Sequence, residues 1–337
     1  MKPEAIRSTL LCFLSALALP AVAGDLKLPR DGWAGWEVPA VDEAPAWCCQ
    51  DWHGSDATPR PCRLDSGHDG YGSRDGATTD SIRVYARFDG GKIQRVRALS
   101  ATCPVQTRTD IQELGTVSAD DSARWLAELA RTKDVDASTQ AAVSRDALAA
   151  LAIHRGDVAQ DALAGIASND PRRKNRKEAV FWLAHLRGLP GAKVATAIMF
   201  GDEDADVREH AAFAVSQSKS PDAAGDLIRL ANTDADTGVR ARAWFWLAKT
   251  ESPATEGAIG SALRKESSDE VRQQAIFALS QLPEERATRA LIAVAEDRSR
   301  PSEDRKQAVF WLAQSQANGA QAYLEKVLTA NQSTTTR

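Results

Sequence analysis

The sequence predicts a mainly helical chain, an α-α superhelix of paired helices, preceded by a small β domain stapled by disulfides. Three observations predict it. Phe181, Phe213, Phe245 and Phe277 recur every 32 residues, and Phe310 follows after 33. Self-similarity at a period of about 20–50 residues marks a solenoid. Each unit also holds a second apolar helical stretch, such as Ala223 to Leu230 ahead of the helix at Val239. Finally, Cys48, Cys49, Cys62 and Cys103 all lie before the repeats begin.

Residues 1–23 read as a separate object. Lys2 and Arg7 give a positive start, Leu10 to Ala18 an apolar run, and Ala21-Val22-Ala23 the small-residue pattern of a cleavage site. That is a secretory signal, too short to span a membrane. The expectation is a soluble periplasmic or secreted protein. No later stretch approaches the ~18 uninterrupted apolar residues of a membrane helix, so no membrane insertion is expected. The net charge is −4, or −5 once Lys2, Arg7 and Glu4 leave with the leader. That balance argues against general nucleic-acid affinity.

Residues 24–105 form the Cys- and Trp-rich β domain. The stretch through Trp33, Trp36 and Trp47 carries prolines and glycines and reads as a loop-rich entry. Ser81 to Phe88 alternates, Asp89-Gly90-Gly91 is a hairpin turn signal, and Lys92 to Leu99 is the return strand. In an oxidising compartment four cysteines read as two disulfides. The adjacent pair is too strained to bond to itself, so Cys48 and Cys49 pair with Cys62 and Cys103 in an order left open. Arg83, Arg87, Arg95 and Arg97 make a basic stripe on the hairpin, read as a solvated face rather than an anion site. Residues 106–118 read as a linker, 119–330 as the solenoid, and 331–337 as a disordered tail.

The helical copies carry the resemblance. Asp206-Val207-Arg208…Ala211…Ala214-Val215 and Glu270-Val271-Arg272…Ala275…Ala278-Leu279 resemble HEAT repeats, of the short kind also found in phycobilisome-lyase-type proteins. The resemblance implies a helical array over most of the chain. It implies no reaction, because such arrays serve unrelated tasks.

Each inner helix can be read by position, starting from Asn175, Val207, Val239, Val271 and Asp304. At about 100° per residue, positions one, five and nine face the outer helix of the same repeat. Position seven points between the neighbouring repeats, onto the inner surface. It is always Phe: Phe181, Phe213, Phe245, Phe277 and Phe310. Beside it lie position four (Glu178, His210, Arg242, Gln274, Gln307) and position eleven (His185, Gln217, Lys249, Gln281, Gln314). Rings flanked by amides and charges suit an extended peptide or another protein. Position eight alternates Trp182, Ala214, Trp246, Ala278, Trp311, read as large-against-small packing from a duplicated two-repeat unit. The arginine column (Arg176, Arg208, Arg240, Arg272, Arg305) sits behind Asp-rich loops and predicts arginine–carboxylate links between adjacent loops.

Catalytic signatures are lacking: there is no HExxH, GxSxG, phosphate-loop or dinucleotide motif. The expectation is therefore a non-enzymatic interaction or scaffolding module of the cell envelope, with no cofactor. The alternative is an enzyme or metal-binding protein whose site is in the N-terminal domain. Cys48, Cys49, His53, Cys62 and His68 supply ligand types for zinc there, without a standard zinc spacing.

Overall fold

The computed structural model describes residues 26–53, 56–66, 71–132 and 137–335. The leader expected at residues 1–23, His68, and the last two residues of the tail lie outside the described residues.

Among the described residues nine strands come first: β1 (Gly32–Pro39), β2 (Pro45–His53), β3 (Asp56–Pro59), β4 (Cys62–Arg63), β5 (Tyr71–Thr78), β6 (Ser81–Asp89), β7 (Lys92–Ser100), β8 (Val105–Gln106) and β9 (Ile111–Thr116). The main sheet has the order β7-β6-β1-β9; β2 lies between β3 and β5, and β4 pairs with β8. The β6–β7 hairpin is the one read from the sequence. Gly90 and Gly91 turn it with φ of 58° and 79°, which a two-residue primed turn requires.

Two expectations are corrected. The entry around Trp33 and Trp36 is strand β1, and it was hidden because both its faces are covered. Trp36 packs toward the helices and Trp33 toward the disulfides, so the apolar–polar alternation of a half-buried strand is missing. The linker expected at 106–118 contains β9, which runs parallel to β1 and extends the sheet.

Thirteen helices follow among the described residues: α1 (Ala119–Arg131), α2 (Ala137–Ile153), α3 (Asp157–Asn169), α4 (Arg173–Leu186), α5 (Gly188–Gly201), α6 (Ala205–Ser216), α7 (Ala223–Thr233), α8 (Thr237–Lys249), α9 (Thr255–Ala262), α10 (Asp269–Ser280), α11 (Glu284–Glu296), α12 (Ser302–Gln314) and α13 (Asn318–Thr335). They pair in order, and α13 closes the array alone, running as helix into the tail expected to be disordered. The inner helices α2, α4, α6, α8, α10 and α12 pack tightly on one another, whereas successive outer helices touch little. The inner row is therefore the concave side.

Local chemistry sets the inner helices. Asp204, Asp236 and Ser268 cap α6, α8 and α10 by accepting a backbone N–H of the first turn. The fifth-position alanines Ala179, Ala211, Ala243, Ala275 and Ala308 are buried, and their small size lets the outer helix approach. Between repeats four of the five column arginines make the expected carboxylate links, while Arg305 donates to the Arg300 carbonyl instead. Arg176 grips Asp202 (2.9 and 3.1 Å), Arg208 grips Asp234 (2.8 and 2.9 Å) and Arg240 grips Glu266 (3.1 and 3.2 Å). Arg272 reaches Asp304 at 3.2 Å. Each of these guanidiniums also donates to a carbonyl of its own loop, such as Arg208 to Asp202 O at 3.0 Å. Desolvation pushes the Asp234 carboxyl up, but the Arg208 hydrogen bonds outweigh it and hold it below the usual range.

The sheet and the array share one core. Trp36, Val38, Ile82, Val84 and Phe88 face α1 and α2 in a continuous apolar cluster that runs to the end of the solenoid. The other face of the sheet holds a smaller core of Trp33, Leu64, Tyr85 and Leu99 around the cysteines. There Cys48 pairs with Cys103 and Cys49 with Cys62, at Cα separations of 5.6 and 5.1 Å, which resolves the order left open.

Candidate functional site

The five phenylalanines of position seven lie on the concave face, and none is core. Phe181, Phe213, Phe245 and Phe277 are half-buried, and Phe310 is 50% exposed. The eighth position decides how they meet. Where it is alanine, rings of successive repeats stack directly: Phe181 on Phe213 at 5.9 Å and Phe245 on Phe277 at 6.0 Å, almost parallel. Where it is tryptophan, the indole wedges between the rings: Trp246 lies 4.7 Å from Phe213 and 4.8 Å from Phe245. Trp311 does the same, 4.9 Å from Phe277 and 5.0 Å from Phe310. The alternation read as packing is thus also an alternation of the surface, since Trp182, Trp246 and Trp311 are only half-buried while Ala214 and Ala278 are buried.

The flanking side chains fall beside this ladder. His185 stacks on Phe181 at 5.3 Å, and Lys249 sits over the Phe245 ring at 5.3 Å while donating to Gln281 Oε1 at 3.3 Å. Gln217 and Gln281 make matching contacts, each donating to the preceding serine at 3.2 Å. Gln281, Trp311 and Gln314 line one recess of about 360 Å³.

Desolvation, aided by the charge of Lys177, drives the His210 imidazole down to about 4. Desolvation also lowers His185. Both rings are uncharged at neutral pH. Burial raises the Glu178 carboxyl, although Trp182 Nε1 donates to it at 2.9 Å.

The β domain closes one end of the face, which the sequence did not reveal. The turn between β1 and β2 runs along the C-terminal ends of α2, α4 and α6. Val41 N donates to Ile153 O at 2.9 Å, Asp42 pairs with Arg155 at 2.9 Å, and Glu43 pairs with Lys219 at 2.8 Å. Trp47 then packs edge-on against Trp182 at 5.5 Å. The open face accordingly runs from α6 to α12.

A second arrangement escaped sequence reasoning. Trp36 Nε1 donates to Ser122 Oγ at 2.8 Å, Ser122 Oγ meets His154 Nε2 at 2.8 Å, and His154 Nδ1 meets Ala150 O at 2.6 Å. A carbonyl only accepts, so Nδ1 carries the proton and Nε2 accepts from the serine. Ser122 and His154 are completely buried, so this pair is a seam between sheet and array rather than a nucleophile and base. Desolvation drives His154 down to about 4, against the raising effect of the Ala150 carbonyl.

The basic stripe is occupied. Arg83 pairs with Glu113, Arg87 with Asp65 and Arg97 with Asp146, and Arg95 donates to the carbonyls of Leu64 and Ser66. As for the zinc constellation, its three cysteines are in disulfides and the His53 side chain is not among those described.

Residues 160–248 and 226–313 match the family model for HEAT repeats, which establishes this part of the chain as HEAT-like. No curated protein matches the chain. Among solved structures the chain is similar to human deoxyhypusine hydroxylase in complex with glycerol, at 14% identity and a TM-score of 0.29, over 62% of this chain and 90% of that one. That neighbour is an enzyme, so the expectation that this chain is not an enzyme is corrected: a helical array of this kind does not exclude catalysis. A likeness so distant assigns no activity.

Proposed function

We propose that this chain recognises or scaffolds another protein through the concave face of its HEAT-like array. HEAT repeats in general mediate protein–protein interaction. The observation that carries the reading here is the unbroken ladder of half-exposed rings from Phe213 to Phe310, across four inner helices. Rigid rings give contact area at small entropic cost, and the amides of Gln217, Gln281 and Gln314 can pair with the backbone of an extended segment. The secretory pattern at residues 1–23 supports a place in the cell envelope, as a periplasmic or secreted protein.

The test is crosslinking capture from envelope extracts with the wild type and a Phe213→Ser, Phe245→Ser, Phe277→Ser variant. The variant should keep its helical circular dichroism and lose the captured partner. Retention of the same partner by a folded variant would remove the face from consideration.

A further inference from the structure

The eighth-position tryptophans differ in one respect that bears on what the face accepts. Each presents an indole N–H from a half-buried ring, and the residue four positions earlier differs in each. In α4 it is Glu178, whose carboxylate accepts from Trp182 Nε1 at 2.9 Å. In α8 it is Arg242, which has no acceptor to offer. Among the described residues Trp246 Nε1 is shielded from solvent and has no hydrogen-bond partner; Trp311 Nε1, with Gln307 four positions earlier, is equally unpartnered. A buried donor left unmade is costly, and an incoming acceptor removes that cost.

The charge at the same place has the complementary sign. Arg242 is exposed and pairs through Nε alone with Glu209, at 3.3 Å between two well-solvated groups. Lys249, two turns further along α8, has only the neutral amide of Gln281 as a polar partner. On α6 the other titratable group facing this region, His210, is uncharged at neutral pH. On α10 the facing side chains are Gln274 and Gln281. The middle of the open face thus holds two cations against one carboxylate.

We propose that the face takes an acidic side chain of an extended protein segment at α8, a refinement that rests on the protein-binding reading above. The incoming carboxylate sits beneath the Arg242 guanidinium and accepts from Trp246 Nε1. It takes the place that Glu178 fills within the chain at Trp182. Lys249 supplies the second positive charge and fixes the direction of the segment.

The experiment uses the full chain and three fluorescein-labelled nonapeptides with the same leucine and serine flanks, centred on Asp-Glu, Asn-Gln or Lys-Lys. By fluorescence anisotropy at low ionic strength, the Asp-Glu peptide should bind about tenfold more tightly than the Asn-Gln one, as expected for one charge-assisted hydrogen bond. Trp246→Phe keeps an aromatic ring and deletes the donor, and Arg242→Gln deletes the charge. Each should erase most of that difference. The Arg242→Glu, Lys249→Glu variant should instead prefer the Lys-Lys peptide. Equal binding of the acidic and amide peptides by the wild type overturns the acidic preference while leaving the face intact. Binding of none of the three also overturns it, and crosslinking capture then decides separately whether the face binds protein.

Discussion

Lowering the pH should loosen the seam between sheet and array before it touches the carboxylate ladder. The His154 imidazole titrates at about 4 in the folded protein, against an ordinary 6.5, because it is buried beside Ser122 and Trp36. Between those two values the unfolded chain binds a proton that the folded chain refuses, so stability falls as pH falls. The full effect is present above about 6.5 and lost by about 4. Two and a half pH units at about 1.4 kcal/mol each give roughly 3.5 kcal/mol. The geometry explains the refusal. A proton on Nε2 would force Ser122 Oγ to accept from both His154 and Trp36, leaving its own O–H without an acceptor. The assay is urea unfolding from pH 7.5 to 4.5, comparing wild type with His154→Gln. The lost slope belongs to His154, since His210 titrates in both proteins. Equal slopes, or an NMR titration of the folded wild type placing His154 near 6.5, would refute the reasoning.

Three further outcomes are expected. Arg208→Ala strands the Asp234 carboxylate, whose side chain is only 5% exposed, and should cost on the order of 3–5 kcal/mol; thermal melts check it, and a loss below about 1 kcal/mol would mean the pair is screened like a surface one. Cys48, Cys49, Cys62 and Cys103 should all resist thiol labelling in the native chain, and reduction should destabilise the small core around Trp33 by about 3 kcal/mol or more per bond. Because α1 and α2 pack on the other face of the sheet, hydrogen exchange should quicken in those two helices and remain slow from α4 onward.

Much of this architecture was legible because the repeats state it several times over. Val207, Ala211 and Val215 mark a buried helix edge, and Val271, Ala275 and Leu279 repeat the message one period later. The helical wheel placed Phe245 and Lys249 on the open side, since spacing alone fixes direction in a helix. The sheet was harder. The alternation of Ile82, Val84, Ala86 and Phe88 shows, but β1 is covered on both faces and carries no period to read. The pairing of Trp36, Ser122 and His154 joins positions as far apart as 86 residues, and no local pattern announces it. The partnerless Trp246 indole was equally hidden, because only a comparison of position four with position eight across repeats brings it out.

The turn from Pro39 to Trp47 has a mechanical consequence. It ties the ends of α2 and α6 to the β domain through a backbone hydrogen bond and two exposed ion pairs, and Trp47 packs on α4, so bending the first half of the solenoid works against these contacts. Past α6, among the described residues, no strand makes an extended contact with the array. Compliance is concentrated in α8 to α13, where repeats touch only their neighbours. The molecule is a spring clamped at one end. A load applied near Phe310 would open or tighten the curvature there while the clamped end holds its shape.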